Sequence, residues 1–413
     1  MHALPMSMPE GPIPCRRFGR TELPMPVLSL GGMRFQQSWS DLPPEQIEAA
    51  SQENLLRILE RSVAVGMHHI ETARHYGSSE RQLGDLLAQV PDPARILQTK
   101  IPPSEDPARF EQELITSVER LRLAERGERI DLLSIHGVNN RELLEITLRP
   151  GGCLEVAQRW QAEGRVGHIG FSTHAALSEI LEAIDTDAFS YINLHWYYIR
   201  QDNGPAIEAA RAHDMGVFLI SPTDKGGHLH SPSARLLELC DPLHPIVFND
   251  LFCLSHPGVH TLSLGAARPA DLDLHLQAVG LLPRASELLP PILERLENAR
   301  HEALGEAWLS SWQEGLPDWP DTPGQINLPV LLWLHTLLEA WDLESFGRAR
   351  YGLLGQGGHW FPGRNADLLD GEVSEAELLA VLGQSPWAAQ IPAILRRLRE
   401  RVGGQAVKRQ QQE

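Results

Sequence analysis

Short apolar runs alternate with longer stretches of helical periodicity up to about residue 285. The long stretches repeat apolar residues every three or four positions, and the short ones end in polar residues or glycine. The long stretches predict helices at Glu53–Val65, Glu80–Gln89, Ala108–Arg122, Leu154–Glu163, Ala175–Ile184, Ala206–His213 and Ala270–Val279. The short runs predict strands at Val27–Gly32, Ile70–Ala73, Ile96–Ile101, Ile130–His136, Val166–Ser172, Tyr191–Tyr197, Val217–Ser221 and Val259–Gly265.

Eight strands that alternate with helices over roughly 250 residues favour an α/β fold, a closed (β/α)8 TIM barrel. An open doubly wound sheet is the alternative. It is less favoured because no Gly-x-Gly-x-x-Gly follows the first strand and because polar residues end most of the strands. Upstream, the segment 16–26 predicts an N-terminal hairpin that turns at Gly19.

The 413 residues exceed what a single core usually holds, so a second unit is expected. Prolines cluster after residue 285, and helical patterns follow at Leu331–Ala340 and Glu375–Leu382. We therefore predict four regions along the chain: a flexible arm at 1–15, the barrel at 16–284, a mainly helical C-terminal extension at 285–402 and a frayed tail at 403–413.

Composition excludes several classes of function. A net charge of −18 argues against a nucleic-acid partner. No apolar run is long enough to span a membrane, and the N-terminus lacks a basic segment followed by an apolar one, so a cytoplasmic protein is expected. The four cysteines are scattered without a Cys-x-x-Cys pair, which predicts reduced thiols and no metal site.

Four side chains capable of acid–base chemistry lie at or just after the ends of three consecutive predicted strands. Glu71 lies in the second strand and Tyr76 follows it, Lys100 lies near the end of the third, and His136 ends the fourth. In α/β barrels the C-terminal strand ends carry the chemistry. Taken singly, Lys100 can be explained as a surface charge, His136 as a core histidine and Tyr76 as a packing residue. Together at one end of the barrel they predict a shared site.

This set suits proton transfer to a carbonyl. A free tyrosine has a pKa near 10 and is a poor acid at neutral pH. A neighbouring ammonium stabilises the phenolate and lowers that pKa, and a carboxylate holds the ammonium in place. A histidine beside the tyrosine orients the carbonyl oxygen. With a nicotinamide as hydride source, the set predicts Tyr76 as general acid.

The sequence resembles the aldo-keto reductase superfamily over about residues 16–280. Glu71-Thr-Ala-Arg-His-Tyr76-Gly77 corresponds to the family's Asp-Thr-Ala…Tyr-Gly, and Lys100 and His136 fall on its lysine and histidine. Further matches are Glu163-Gly-Arg-Val166, Ile169-Gly-Phe-Ser172 and Ser221-Pro222…Gly226-Gly227. The largest departure is Glu71, whose stem is one methylene longer than that of aspartate, so Lys100 is expected at a changed angle.

The resemblance implies a nicotinamide cofactor, NADPH rather than NADH. Ser172, Thr173 and Asn193 correspond to residues that bind the nicotinamide amide, and Ile220 replaces a stacking aromatic ring. Arg268 is the expected ligand of the 2′-phosphate because its planar fork fits phosphate geometry. The remaining implied cofactor residues are Ser221, Pro222, Lys225, Gly226, Gly227, Gly265, Asp271 and His275, the last where an adenine-contacting asparagine is common.

Two further interpretations concern the substrate and the extension. Trp39, Trp196 and Tyr197 are predicted to line an apolar pocket for a small-molecule carbonyl substrate. The segment from Trp312 to Pro329 resembles a degenerate form of the ferredoxin-like extension found in the iron–sulfur-associated branch, without its cysteines. No iron–sulfur cluster is therefore expected. That unit would serve as scaffold, lid or protein-partner surface.

The leading hypothesis is an NADPH-dependent oxidoreductase that reduces an aldehyde or ketone to an alcohol. The alternative is an NADP(H)-binding regulatory or scaffold protein with little or no turnover. Glu71 and Ile220 favour the alternative, whereas the complete set of Tyr76, Lys100 and His136 favours the enzyme.

Overall fold

The computed structural model describes residues 11–357 and 360–404. The arm and tail that the sequence predicts lie mostly outside these residues. In the described part, a hairpin of β1 (Cys15–Arg17) and β2 (Pro24–Pro26) precedes the barrel. Its turn passes through Gly19 at φ +54°, a left-handed conformation that glycine adopts without strain. The predicted hairpin is confirmed.

Eight parallel strands close into a barrel in the described residues, which confirms the predicted fold. Strand β10 closes the circle by pairing with both β3 and β9. The strands are β3 (Leu28–Gly31), β4 (His69–Glu71), β5 (Ile96–Ile101), β6 (Ile130–His136), β7 (Val166–Ser172), β8 (Tyr191–Leu194), β9 (Gly216–Ile220) and β10 (Thr261–Leu264).

The helices agree with the periodic stretches to within a few residues, and several others were not predicted. In chain order the α-helices of the described residues are α1 (Ala49–Ala64), α2 (Ser79–Leu86), α3 (Pro107–Arg120), α4 (Leu123–Arg126), α5 (Arg141–Leu148), α6 (Cys153–Ala162), α7 (Leu177–Asp185), α8 (Gly204–Ala212), α9 (Pro222–Lys225), α10 (Ala234–Cys240), α11 (Pro245–Ser255), α12 (Asp273–Leu281), α13 (Ala285–Ser311), α14 (Leu328–Trp341), α15 (Glu344–Leu353), α16 (Glu375–Val381) and α17 (Ile391–Val402).

The described chain forms two compact units. The barrel unit contains residues 11–226 and 246–285, and the helical unit contains residues 227–245 together with the described residues from 286 onward. The chain therefore passes from one unit to the other near the predicted boundary at 284–285 and also earlier, because residues 227–245 belong to the helical unit. The connection after β9 contributes its middle part, with α10, to the helical unit. Sequence periodicity does not show this, because α10 looks like any other barrel helix.

Polar side chains fill part of the barrel interior, which in this architecture is usually filled with branched apolar residues. Gln98 Nε2 donates to Asn193 Oδ1 at 3.2 Å, and Ser134 Oγ donates to the same oxygen at 3.2 Å. Ser29 Oγ lies 2.7 Å from His69 Nδ1. These side chains are buried, and the hydrogen bonds between them offset part of the cost of burying polar groups.

Aromatic side chains form much of the core of the helical unit. Trp308 packs edge-on against Trp387 with ring centroids 5.1 Å apart, and its indole nitrogen donates to Thr336 Oγ1 at 3.1 Å. Trp341 is buried, and its indole nitrogen donates to the Leu296 carbonyl at 3.1 Å. Trp312, Trp319 and Trp333 are half-buried.

Candidate active site

The ends of β4, β5 and β6 bring the predicted acidic, basic and imidazole groups to one end of the barrel. Glu71 is the last residue of β4, Lys100 is the penultimate residue of β5, and His136 is the last residue of β6. These strands are adjacent and parallel, so their C-terminal ends lie at the same rim. The loop after β4 then adds Tyr76.

Lys100 and Glu71 form a buried ion pair. The Lys100 ammonium contacts Glu71 Oε2 and donates to the Thr72 carbonyl at 2.9 Å. Burial alone would lower the pKa of Lys100, but the Glu71 carboxylate and Tyr76 outweigh it, so that this pKa lies above its ordinary value. The longer stem of glutamate thus still meets the lysine, and Lys100 is a fixed cation.

Tyr76 lies against both Lys100 and His136. The Lys100 ammonium lies 4.8 Å from the centroid of the Tyr76 ring. The His136 ring meets the Tyr76 ring edge-on, with centroids 5.8 Å apart. The next residue is Gly77 at φ +52°, where a Cβ would lie 1.8 Å from the Ser38 carbonyl oxygen. Only glycine permits this close approach of the first loop beside Tyr76.

His136 is neutral at physiological pH. Burial, followed by the positive charges of Lys100, His75 and Lys225, lowers the pKa of His136 to about 3. Its Nδ1 atom is buried and has no hydrogen-bond partner among the described residues. A neutral imidazole can donate to or accept from a ligand but carries no charge, so His136 suits orientation of a polar group better than acid catalysis.

Acid should destabilise the folded protein through His136. Its folded pKa of about 3 lies below the ordinary 6.5, so between these values the unfolded chain binds the proton that the folded chain excludes. The free energy of unfolding should fall as pH falls through this window, by at most ~1.4 kcal/mol per pH unit for one histidine. We expect His136→Gln to flatten that slope in urea unfolding. An identical slope in variant and wild type would contradict the assignment.

Arg74, which no motif in the sequence singles out, anchors the loop between β3 and α1. Its guanidinium binds Asp41 of that loop at 2.8 Å, Glu80 at 3.1 Å and Glu113 at 3.0 Å. The Asp41 carboxylate also pairs with Arg120 at 3.3 Å. The loop between β3 and α1 is therefore held next to Tyr76 by these ion pairs. These partners are distant in sequence, so no local pattern connects them.

The residues expected at the nicotinamide end are buried around the ends of β7 and β8. Ser172 Oγ accepts from the Gly137 amide at 3.0 Å, and Thr173 Oγ1 donates to the Val138 carbonyl at 2.7 Å. Asn193 Oδ1 accepts hydrogen bonds from Gln98 and Ser134 inside the barrel. Its Nδ2 is buried without a partner among the described residues. That unpaired donor fits the oxygen of a carboxamide.

The loop from Ser221 to Gly226 is fixed by α11. Ser221 has φ +50°, and the Asn249 amide donates to the Pro222 carbonyl at 3.2 Å. A Cβ at Gly226 would lie 2.0 Å from the same carbonyl, so the tight turn requires glycine there. Lys225 Nζ lies 3.4 Å from His195 Nε2. Asn249 carries no signal in the sequence that would assign it to this loop.

The residues expected at the adenosine end differ in exposure. Arg268 is 77% exposed, and its Nε donates to Asp271 Oδ1 at 2.9 Å, which leaves the guanidinium end toward solvent. Asp271 also accepts from the Ala267 amide at 2.9 Å, so its carboxylate shapes the turn. His275 is buried, with Nδ1 2.5 Å from Asp250 Oδ2 and Nε2 3.4 Å from Thr223 Oγ1. His275 thus contacts the loop from Ser221 to Gly226 through Thr223.

The profile of the Aldo/keto reductase family matches residues 27–241, more than half of the chain. The chain belongs to this family. Membership implies oxidoreductase activity and agrees with the barrel and with the residues at its rim. No curated protein matches the sequence.

Solved structures of aldo-keto reductases share the fold. One from Pseudomonas aeruginosa is 21% identical with a TM-score of 0.52 and covers 67% of this chain and 98% of its own. One from Bacillus halodurans, in its holo form, is 19% identical with a TM-score of 0.55 and covers 68% of this chain and 96% of its own. A thermostable aldo-keto reductase in complex with the inhibitor epalrestat is 19% identical with a TM-score of 0.51, covering 66% and 94%.

The three aromatic residues predicted to line a substrate pocket differ in their surroundings. Trp196 stacks on Phe252 of α11, with ring centroids 4.8 Å apart. Tyr197 is fully buried, and its hydroxyl lies 2.8 Å from His195 Nδ1. Trp39 is half-buried in the first loop. Their role in substrate binding stays a prediction.

The described residues contain neither a membrane-spanning helix nor a cluster of metal-binding side chains. Among residues 11–357 and 360–404, no helix has both the length and the apolar character needed to cross a bilayer. Over the same residues, no group of three or more histidine, cysteine or acidic side chains is placed to hold a metal ion.

Proposed function

We propose that this aldo-keto reductase is an NADPH-dependent enzyme that reduces an aldehyde or ketone to an alcohol. The observation that carries the proposal is the chain of contacts from Glu71 through Lys100 to Tyr76. A carboxylate holds a buried cation against a phenol, and that cation lowers the cost of removing the phenol's proton.

Each of the four residues has a distinct role in the proposed reaction. The nicotinamide, when bound, supplies the hydride that is added to the carbonyl carbon. Tyr76 donates its hydroxyl proton to the carbonyl oxygen, and Lys100 stabilises the phenolate that remains. His136, neutral beside Tyr76, orients the carbonyl oxygen by a hydrogen bond. Solvent then returns a proton to Tyr76.

The proposed cofactor residues cover both ends of a dinucleotide. Asn193, with its unpaired buried Nδ2, would hold the nicotinamide carboxamide beside Ser172 and Thr173. The turn from Ser221 to Gly227, with Lys225, would hold the pyrophosphate. Gly265 precedes Arg268 by three residues. A Cβ at Gly265 would lie 3.1 Å from Arg34 Cγ.

Replacing Arg268 should remove the preference for NADPH. Its exposed guanidinium end is available for two parallel hydrogen bonds to a 2′-phosphate. We expect Arg268→Ala to weaken NADPH binding about tenfold to a hundredfold and to leave NADH binding unchanged, since bonds to charged groups are worth roughly 1.5–3 kcal/mol. Fluorescence titration with both nucleotides measures this. Arg211→Ala, another exposed arginine, is the matched control.

The proposed activity is tested by NADPH oxidation against a panel of aldehydes and ketones. Turnover of at least one carbonyl with a preference for NADPH would support it. Tight NADPH binding without turnover on any carbonyl would contradict it and favour a nucleotide-binding regulatory protein.

We further propose that the helical unit is a degenerate counterpart of the iron–sulfur-associated extension and acts as scaffold or protein-partner surface. The run Pro323-Gly324-Gln-Ile326 and the surrounding prolines support the comparison. The four cysteines lie at positions 15, 153, 240 and 253, none of them in that run. Iron and sulfide analysis of the purified protein tests this, and a stoichiometric cluster would contradict it.

A further inference from the structure

Glu71 is held at both of its carboxylate oxygens. Oε2 contacts the Lys100 ammonium, and Oε1 accepts a hydrogen bond from Ser263 Oγ at 2.8 Å. Ser263 lies on β10, Glu71 lies on β4, and β3 lies between these strands in the barrel. The hydrogen bond therefore connects two strands that do not pair with each other.

Gly31 makes this crossing possible. It pairs with Glu71 in the register of β3 and β4. A Cβ at Gly31 would lie 2.6 Å from Ser263 Oγ and 3.2 Å from Glu71 Oε1. The bare backbone of β3 thus leaves room for a glutamate stem and for a serine hydroxyl that reaches it, and both side chains are buried.

We propose that Ser263 is a positioning residue for the proton donor. By fixing Oε1, its hydroxyl fixes the angle at which Oε2 meets Lys100 and so the place of the ammonium against Tyr76. Without it, Oε1 would be a buried carboxylate oxygen that has lost its hydrogen-bond donor, and the carboxylate would turn to find another. The inference rests on the proposed function, in which Tyr76 is the acid.

Charged and titratable groups surround Tyr76 in the described part of the chain. Lys100 and His136 contact its ring, Glu71 lies behind Lys100, and the charges of His75 and Lys225 reach the site through their effect on His136. Of these groups, Ser263 hydrogen-bonds with Glu71. A change at Ser263 should therefore reach Tyr76 through the Glu71–Lys100 pair.

The test compares Ser263→Ala with Ser29→Ala. We expect Ser263→Ala to lower kcat about tenfold, with little change in KM, because a small misplacement of a catalytic group is costly. The alkaline limb of the kcat/KM profile should move to higher pH, because a less well-placed ammonium stabilises the Tyr76 phenolate less. Ser29 is also buried and bonds to His69 and Thr261, and its variant should leave that limb in place.

A second measurement does not need turnover. The ionisation of Tyr76 is followed by tyrosinate absorbance, as the difference between each protein and the same protein carrying Tyr76→Phe. Ser263→Ala should move this titration to higher pH, and in a Glu71→Gln background the same substitution should have a much smaller effect, since the two residues act as one unit.

The outcomes separate the two proposals. An unchanged Tyr76 titration and an unchanged alkaline limb in Ser263→Ala, even with lower stability, would overturn the positioning role. A titration that moves as expected in a protein that turns over no carbonyl would support the positioning role and contradict only the proposed function.

Discussion

Tyr76→Phe is expected to abolish carbonyl reduction while NADPH affinity stays unchanged. A positioned general acid contributes roughly a hundredfold to ten-thousandfold to the rate. Phenylalanine keeps the ring that meets His136 edge-on and removes only the hydroxyl that faces Lys100. Steady-state NADPH oxidation measures the loss of kcat, and fluorescence titration measures the affinity.

Tyr191→Phe is the matched control for this loss. Tyr191 begins β8 and is fully buried, so the same substitution removes a buried hydroxyl elsewhere in the barrel. We expect this variant to retain activity. Equal activity of Tyr76→Phe and wild type would show that another group donates the proton.

Lys100→Met is expected to reduce both stability and turnover. Removing one partner of a buried ion pair typically costs about 3–5 kcal/mol of unfolding free energy, because it leaves the other charge buried and uncompensated. Glu71 would be that charge, since Lys100 and Glu71 are both almost fully buried. The activity should fall as well, because the Tyr76 phenolate loses its counter-charge. Urea unfolding and NADPH oxidation measure the two effects.

A double variant separates the effect of the uncompensated buried charge from the loss of the cation. The double variant Glu71→Gln with Lys100→Met should recover much of the stability at neutral pH but none of the activity. A single variant as stable as wild type at neutral pH would contradict the buried pair.

The barrel was predictable because each strand is a short apolar run and each helix repeats its apolar residues. The grouping of Glu71, Lys100 and His136 was predictable for a related reason, since adjacent parallel strands end at one rim. The extra helices α5, α13, α15 and α17 were missed. Proline inside α13 and glycine inside α15 hide their periodicity from a sequence pattern.

The supporting contacts were not predictable from the sequence. The sequence marks Glu71 as a departure that changes the angle to Lys100, but the serine that binds its second oxygen lies 192 positions away. The resemblance assigns His275 to the cofactor site, but its buried contact with Asp250, 25 positions away on another helix, has no signal in the sequence. Trp196 follows the end of β8, where alternation no longer fixes which side chain faces the rim. Such contacts depend on tertiary packing.

The measurement that tests the central claim most directly is transfer of deuterium to a carbonyl substrate from NADPH that carries deuterium at both hydrogen positions of the nicotinamide C4. The alcohol product is analysed by mass spectrometry for wild type and for Tyr76→Phe. We expect one deuterium on the carbonyl carbon with wild type and no labelled alcohol with the variant. Absence of label in an alcohol formed by wild type, or equal labelling by both proteins, would contradict hydride transfer assisted by Tyr76.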